Sequence, residues 1–281
     1  MILLKTAADL RRHLLQLAST GDSIGFVPTM GALHNGHLSL IEASKKANAV
    51  TVCSIFVNPT QFNDPKDFEK YPVTIENDIV LLEKAGTDIL FLPSVNEIYP
   101  NGTSHLPAYP LGYLETILEG KYRPGHFQGV CQVMDRLLTM VDADQLYMGQ
   151  KDYQQCMVVQ QLINYRQFKV KLLPCPTLRE TDGLAMSSRN QRLNATERQQ
   201  AVAVSQALTM VKNEIAAGDP APLLQKAEQM LRDNGFKVDY VAIGSAADLS
   251  TVTHWDGQQP LVTLAAAYLN EVRLIDNMLI P

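Results

Sequence analysis

A chain of 281 residues that is 46% hydrophobic carries enough apolar side chain for one large or two modest globular cores, which excludes a disordered protein. Its 29 acidic and 24 basic residues leave a formal charge of -5, which argues against a nucleic-acid backbone as main partner but leaves room for a local basic pocket around a small anion. No apolar run reaches about 18 residues, and Met1-Ile2-Leu3-Leu4-Lys5-Thr6 lacks the basic start and long apolar core of a signal peptide, so a soluble cytoplasmic protein is expected.

In chain order, residues 6–19 carry helical periodicity, and Ser23-Ile24-Gly25-Phe26-Val27 is a short apolar strand that Pro28 ends by removing a backbone donor. A helix over 37–47 follows, with Leu38, Leu40, Ile41 and Ala43 in its apolar pattern, and the β-branched run 49–57 is a buried strand. Residues 75–85 are helical, 88–92 a strand closed by Pro93, 127–141 a helix, 145–148 a strand and 152–165 a helix. Such alternation implies a doubly wound α/β fold, a parallel sheet with helices on both faces. After Pro174-Cys175-Pro176 the pattern changes to helices over about 195–217 and 220–234, then strands at 238–243 and 261–267. The chain therefore divides into domains of residues 1–176 and 177–281, the second a smaller α+β unit. The four cysteines, Cys53, Cys131, Cys156 and Cys175, are far apart in mostly apolar surroundings and read as reduced core thiols.

Chemistry concentrates in Pro28-Thr29-Met30-Gly31-Ala32-Leu33-His34-Asn35-Gly36-His37-Leu38, where a strand hands over to a helix. A helix N-terminus presents unpaired N–H groups and a positive dipole end, which favour a phosphate. Gly36 keeps no side chain between nucleotide and backbone, and His34 and His37 can turn imidazole N–H donors toward the same oxygens, stabilising charge at a phosphorus under attack. The alternatives are a His-x-x-His metal pair, for which no nearby Cys, Asp or Glu completes a zinc spacing, and two solvated loop histidines.

Open α/β sheets bind ligands beyond the C-terminal ends of their strands, and Asn58-Pro59-Thr60-Gln61 and Gly149-Gln150-Lys151-Asp152 also follow predicted strands. Lys151 offers an ammonium for phosphate and Asp152 a carboxylate for ribose hydroxyls, although a surface helix cap explains the pair equally well. Met186-Ser187-Ser188-Arg189 suits outer phosphates and departing pyrophosphate, or is an ordinary polar turn. Gln61 and Gln155 are amides able to donate and accept, fit for a hydroxy acid, or simply solvated.

Five ordered motifs, Pro28 to His37, Phe56-Val57-Asn58-Pro59-Thr60-Gln61-Phe62, Arg123-Pro124-Gly125-His126-Phe127, Gly149-Gln150-Lys151-Asp152-Tyr153-Gln154-Gln155 and Met186-Ser187-Ser188-Arg189-Asn190, together resemble the pantoate–β-alanine ligase family, within the HxGH nucleotidyltransferase superfamily. The resemblance runs through residues 23–195 and implies a Rossmann-like nucleotide- and pantoate-binding domain over 1–176 with a lid over 177–281. It implies ATP-dependent ligation of (R)-pantoate to β-alanine through a pantoyl-adenylate, releasing pyrophosphate and then AMP. Carried residue by residue, it places ATP on Met30, Gly31, Ala32, Leu33, His34, Asn35, Gly36, His37, Gly149, Gln150, Lys151, Asp152, Leu178, Met186, Ser187, Ser188 and Arg189. His34, His37 and Lys151 become the catalytic group, Gln61 and Gln155 hold pantoate, Gln61 borders β-alanine, and Arg123 with His126 helps receive it. Mg²⁺ accompanies ATP, bridging phosphates rather than sitting in a protein cage. Asp78 reads as a helix-surface carboxylate, with an outer role toward the metal as the alternative. A homodimer and small-molecule substrates are implied, with no nucleic-acid or membrane partner.

Two rival readings remain on the residues alone. A nucleotidylyltransferase acting on a phosphorylated small molecule would want basic residues where Gln61 and Gln155 stand. A tRNA-binding module resembling a synthetase catalytic domain would want a basic appended region, against the acidic balance and single Trp.

Overall fold

The computed structural model describes residues 1–18 and 21–281, so Ser19, the expected end of the first helix, lies outside the described residues. The chain forms two compact units, Met1–Gly149 with Gln155–Pro176, and Gln150–Gln154 with Thr177–Pro281. The segment Gln150–Gln154, a 3-10 turn and the first two residues of the helix Tyr153–Arg166, was expected with residues 1–176 and groups with the second unit.

The first unit runs β1 (Ile2–Leu4), α1 (Ala7–Ala18), β2 (Ile24–Thr29), α2 (Asn35–Ala47), β3 (Val50–Ile55), α3 (Pro65–Glu69), α4 (Ile75–Lys84), β4 (Ile89–Phe91), α5 (Val95–Ile98), α6 (Leu118–Tyr122), α7 (His126–Val141), β5 (Gln145–Gly149), α8 (Tyr153–Arg166) and β6 (Lys171–Cys175). Its six strands are all parallel, in the order β1-β4-β3-β2-β5-β6. A parallel sheet is covered on both faces, which is why β3 reads apolar without alternation: every residue from Val50 to Ile55 is buried. Leu40, Ile41 and Leu82 from the covering helices pack with Val27, Cys53 and Leu90 of the sheet.

Winding proceeds from β2 through β3 to β4, then reverses to β5 and β6, so the switch point lies between β2 and β5. β2 pairs with β3 from Ile24↔Val50 to Thr29↔Ile55 but meets β5 only at Gly25↔Gln145 and Phe26↔Leu146. The two strands part beyond Phe26, which opens the C-terminal edge. Pro28 does not end the strand as expected; it lies inside β2. Thr29 faces β3, accepting the N–H of Phe56 at 3.0 Å, so by alternation the Pro28 nitrogen faces the β5 side, where the ladder has already ended.

The second unit carries α9 (Ala195–Gln200), α10 (Ala203–Glu214), α11 (Ala221–Asp233), β7 (Lys237–Ser245), β8 (Leu261–Leu269) and β9 (Val272–Ile280), the strands forming an antiparallel sheet in the order β7-β8-β9. The single helix expected over 195–217 is two. A capping box starts the first, Asn194 accepting from Glu197 N at 2.9 Å and Glu197 returning a bond to Asn194 N at 2.9 Å. Ala265 and Ala267 of β8 are small enough for Ala207 and Leu208 of α10 and Ala227 and Leu231 of α11 to pack into one core.

Periodicity misses β1, β6 and β9. β1 is a three-residue edge strand with Ile2 and Leu3 exposed, and β6 is an edge strand that tolerates Pro174. β9 buries Asp276 and Asn277 side by side, which breaks the alternation that would mark it.

Candidate active site

The loop after β2 turns through two consecutive left-handed residues, Gly31 (φ +80°) and Ala32 (φ +48°). The conformation costs the alanine roughly 1–2 kcal/mol. In return the N–H groups of Ala32 and Leu33 reach the carboxylate of Asp78 on α4, at 2.9 and 2.8 Å, and Thr74 Oγ1 donates to it at 3.0 Å. Asp78 is fully buried, which corrects its reading as a helix-surface carboxylate: three donors hold its charge in the interior. A Cβ on Gly31 would stand 3.0 Å from Asp78 Oδ2 and 3.1 Å from Ile55 Cγ2, so a side chain there would crowd this approach.

His34 is the N-cap of α2, with extended backbone. Its Nδ1 accepts the N–H of Gly36 at 3.1 Å, while His37 Nδ1 accepts the N–H of His34 at 3.3 Å, and the ring centroids lie 4.0 Å apart. The pair is a capping box built from imidazoles. An Nδ1 that accepts a backbone proton carries none, so each neutral ring holds its proton on Nε2 and offers an N–H donor beside the α2 N-terminus. Met30 and Gly36 are partly exposed and Asn35 is exposed, whereas Leu33 packs into the core and anchors the loop from below.

Gln61 ends the short 3-10 turn Pro59–Gln61 that follows β3. Its Oε1 accepts from Asn58 Nδ2 at 3.1 Å and its Nε2 donates to Met30 Sδ at 3.1 Å, which brings two expected site residues together. Asn58, almost wholly buried, also donates to Gly129 O at 3.1 Å and accepts from Tyr99 Oη at 2.8 Å. α7 passes so close that a Cβ on Gly129 would lie 2.2 Å from Thr60 O. His126 is buried; its Nδ1 meets Gln61 O at 2.8 Å and its Nε2 meets Arg123 Nη1 at 3.1 Å. Arg123 can only donate, so Nε2 accepts and Nδ1–H donates to the Gln61 carbonyl, the opposite tautomer to the loop histidines. Glu119 pairs with Arg123 at 3.5 Å. Gln155, early in α8, is partly exposed and makes no side-chain hydrogen bond among the described residues.

In the second unit, the 3-10 turn Gln150–Asp152 follows Gly149 at the end of β5, and the side chains of Lys151 and Asp152 are partly exposed and unpaired among the described residues. Met186 N donates to Leu178 O at 3.0 Å, closing a small hairpin whose Leu178 side chain is exposed. Ser187 caps the next turn by accepting from Arg189 N at 3.3 Å, and Ser188 is buried. Residues 2–279 match the sequence model of a family described as Pantoate-beta-alanine ligase.

The chain belongs to the pantoate–β-alanine ligase family.

It is 43% identical to the pantothenate synthetase of Cytophaga hutchinsonii over 285 residues, covering 100% of this chain and 99% of that one. To the Bacteroides thetaiotaomicron pantothenate synthetase it is 41% identical over 279 residues, covering 99% and 98%. Among solved structures, pantothenate synthetase from Thermus thermophilus matches with a TM-score of 0.90 at 39% identity over 99% of each chain. The pantoate–β-alanine ligase from Francisella tularensis, complexed with beta-gamma ATP and beta-alanine, matches with a TM-score of 0.84 at 37% identity over 99% of this chain and 97% of that one.

Membership in the pantoate–β-alanine ligase family makes the chain an enzyme and sets aside both rival readings. Among the described residues no helix is long and apolar enough to cross a membrane, and no group of three or more His, Cys, Asp or Glu side chains is arranged to hold a metal ion. Asp78, Asn58 and Gly129 hold expected site segments within the first unit, and Asn277 holds one within the second; none of these holding roles was expected. A glycine inside the helical run 127–141 was a signal of close packing; nothing in the spacing pointed to Asn277.

Proposed function

We propose that this pantoate–β-alanine ligase works in two steps through a pantoyl-adenylate. The (R)-pantoate carboxylate attacks the α-phosphorus of ATP and pyrophosphate leaves; the β-alanine amine then attacks the acyl carbon, and AMP departs as the amide forms. A free carboxylate is a poor acyl donor, and the mixed anhydride supplies the leaving group. The observation that carries the reading is the imidazole capping box: with both Nδ1 atoms engaged by backbone N–H groups, His34 and His37 offer Nε2–H donors at a helix N-terminus, the combination that stabilises charge on a phosphate under attack.

Met30 to His37, Gly149 to Asp152, Leu178 and Met186 to Arg189 bind ATP in this reading, with Lys151 neutralising phosphate charge. Gln61 and Gln155 bind pantoate, and Gln61 also borders β-alanine. The Asn58 bond and the His126 bond that hold Gln61 by side chain and backbone support a fixed amide, and the unused hydrogen-bonding capacity of Gln155 supports a role for it in gripping a hydroxy acid. Mg²⁺ would be carried by ATP and would supply charge neutralisation for its phosphates; Asp78, whose carboxylate accepts from Ala32, Leu33 and Thr74, is committed to the loop instead. The enzyme acts as a cytoplasmic homodimer, with residues 177–281 as a lid that keeps water from the acyl-adenylate.

ATP–pyrophosphate exchange tests the order of events. Exchange that requires pantoate alone is expected; exchange that requires β-alanine alone, or neither, would defeat the two-step reading.

A further inference from the structure

The last strand carries two consecutive buried polar residues, and between them they hold two separate segments of the second unit. Asn277 is 2% exposed, and its Nδ2 donates to Gln150 O at 2.9 Å and to Lys151 O at 2.7 Å. Asp276 is 4% exposed and takes a two-pronged bond from Arg179, Nη1 to Oδ2 at 2.6 Å and Nη2 to Oδ1 at 3.0 Å. Arg179 also donates to Gly183 O at 3.1 Å and to Asn277 O at 3.2 Å, and Asp276 Oδ1 accepts Asn277 N at 2.8 Å. One strand register, Ala265↔Asp276 and Leu264↔Asn277, thus fixes both the Gln150–Lys151 turn and the hairpin that begins at Leu178.

Asn277 Oδ1 is buried with no hydrogen-bond partner among the described residues. A residue chosen for packing alone would not leave an acceptor unmet in the interior. What the amide does accomplish is to spend both its N–H groups on adjacent carbonyls, which sets the direction in which the Lys151 side chain departs. We propose that Asn277 is a positioning residue for Lys151, and that Asp276 and Asn277 together hold the Lys151 and Leu178 segments at the spacing one ATP molecule requires. The proposal rests on the reading that Lys151 and Leu178 contact ATP.

The test uses the full-length chain in four forms: wild type, Asn277→Ala, Lys151→Ala and the double variant. Asn277→Ala is expected to raise the KM for ATP by roughly 10–100-fold, as loss of precise placement does, with the KM for β-alanine unchanged. Asn277→Ser, which keeps one donor, should fall between Asn277→Ala and wild type. In the Lys151→Ala background the Asn277→Ala change should have no further effect. The proposal is overturned if Asn277→Ala lowers kcat with both KM values unchanged, the mark of less folded enzyme, or if its loss multiplies fully with that of Lys151→Ala. Should Asn277→Ala fail to fold, an unchanged KM for ATP in soluble Asn277→Ser overturns it equally. Wild-type kinetics in Lys151→Ala would instead remove the underlying reading of Lys151, and the proposal with it.

Discussion

Asp78 on α4 accepts the backbone N–H of Leu33 at 2.8 Å from inside the protein, and the loop after β2 takes its shape from that bond and its neighbour to Ala32. Asp78→Asn keeps the volume but replaces one acceptor with a donor that faces N–H groups. The change should destabilise the fold by about 2–3 kcal/mol, because hydrogen bonds to a buried charge are lost and donors are left unmet. Pyrophosphate exchange should fall with it. Urea midpoints equal to wild type would contradict the role assigned to this carboxylate.

The two histidines have separable duties. Asn is a good N-cap and can accept from Gly36 N, so His34→Asn should leave stability within about 0.5 kcal/mol of wild type while removing an Nε2 donor. His37→Ala should lower the rate of pantoate-dependent pyrophosphate exchange by roughly 10²–10³-fold, the scale of losing one preorganised donor. It should also cost about 1 kcal/mol of stability through the lost cap. Normal exchange in both variants, measured alongside thermal melts, would leave the loop with a structural role only.

Gly129→Ala drives a methyl group toward the Thr60 carbonyl, 2.2 Å from the position its Cβ would take. Backbone must move on one side, costing about 1–3 kcal/mol, and any shift of the turn pressed by the new methyl displaces Gln61. The KM for pantoate should rise more than the KM for ATP. Equal KM shifts for the two substrates would show that the packing does not serve Gln61.

Alkaline pH should weaken the fold through two core thiols. Burial pushes Cys53 and Cys131 up to about 12 from the ordinary thiol value of 9.0; the Thr29 hydrogen bond opposes this at Cys53, where the Asp78 charge adds to it, and Glu115 and Asp135 add to it at Cys131. Above the ordinary value the unfolded chain releases protons that the folded chain keeps. Stability is therefore fully present below about pH 9 and declines toward about pH 12, by up to about 1.4 kcal/mol per pH unit for each thiol. Urea unfolding at several pH values between about 8 and 10.5 reads the slope. Cys53→Ala and Cys131→Ala should each flatten it; a slope untouched by either would assign the alkaline loss elsewhere.

Much of the candidate site is legible in the order of residues because the chemistry expected of it is local. The strand, the glycines and the two histidines lie within Ile24 to His37, and a helix N-terminus acts on groups one turn away. The alternation of strand and helix likewise announces a parallel sheet, since each crossover is written in consecutive residues. Edge strands escape because β1 is too short for a period and β6 contains the proline that an edge permits.

By itself the sequence determined the kind of fold, the family and the segments expected to carry the chemistry. Tertiary structure alone decided what holds them. Asp78 lies 45 positions from Leu33, Gly129 lies 69 from Thr60 and Asn277 lies 126 from Lys151, and each acts through a backbone group that every residue possesses. A bond to a backbone amide or carbonyl leaves no mark on the identity of the residue it restrains, so only the folded chain shows which side chain supplies it.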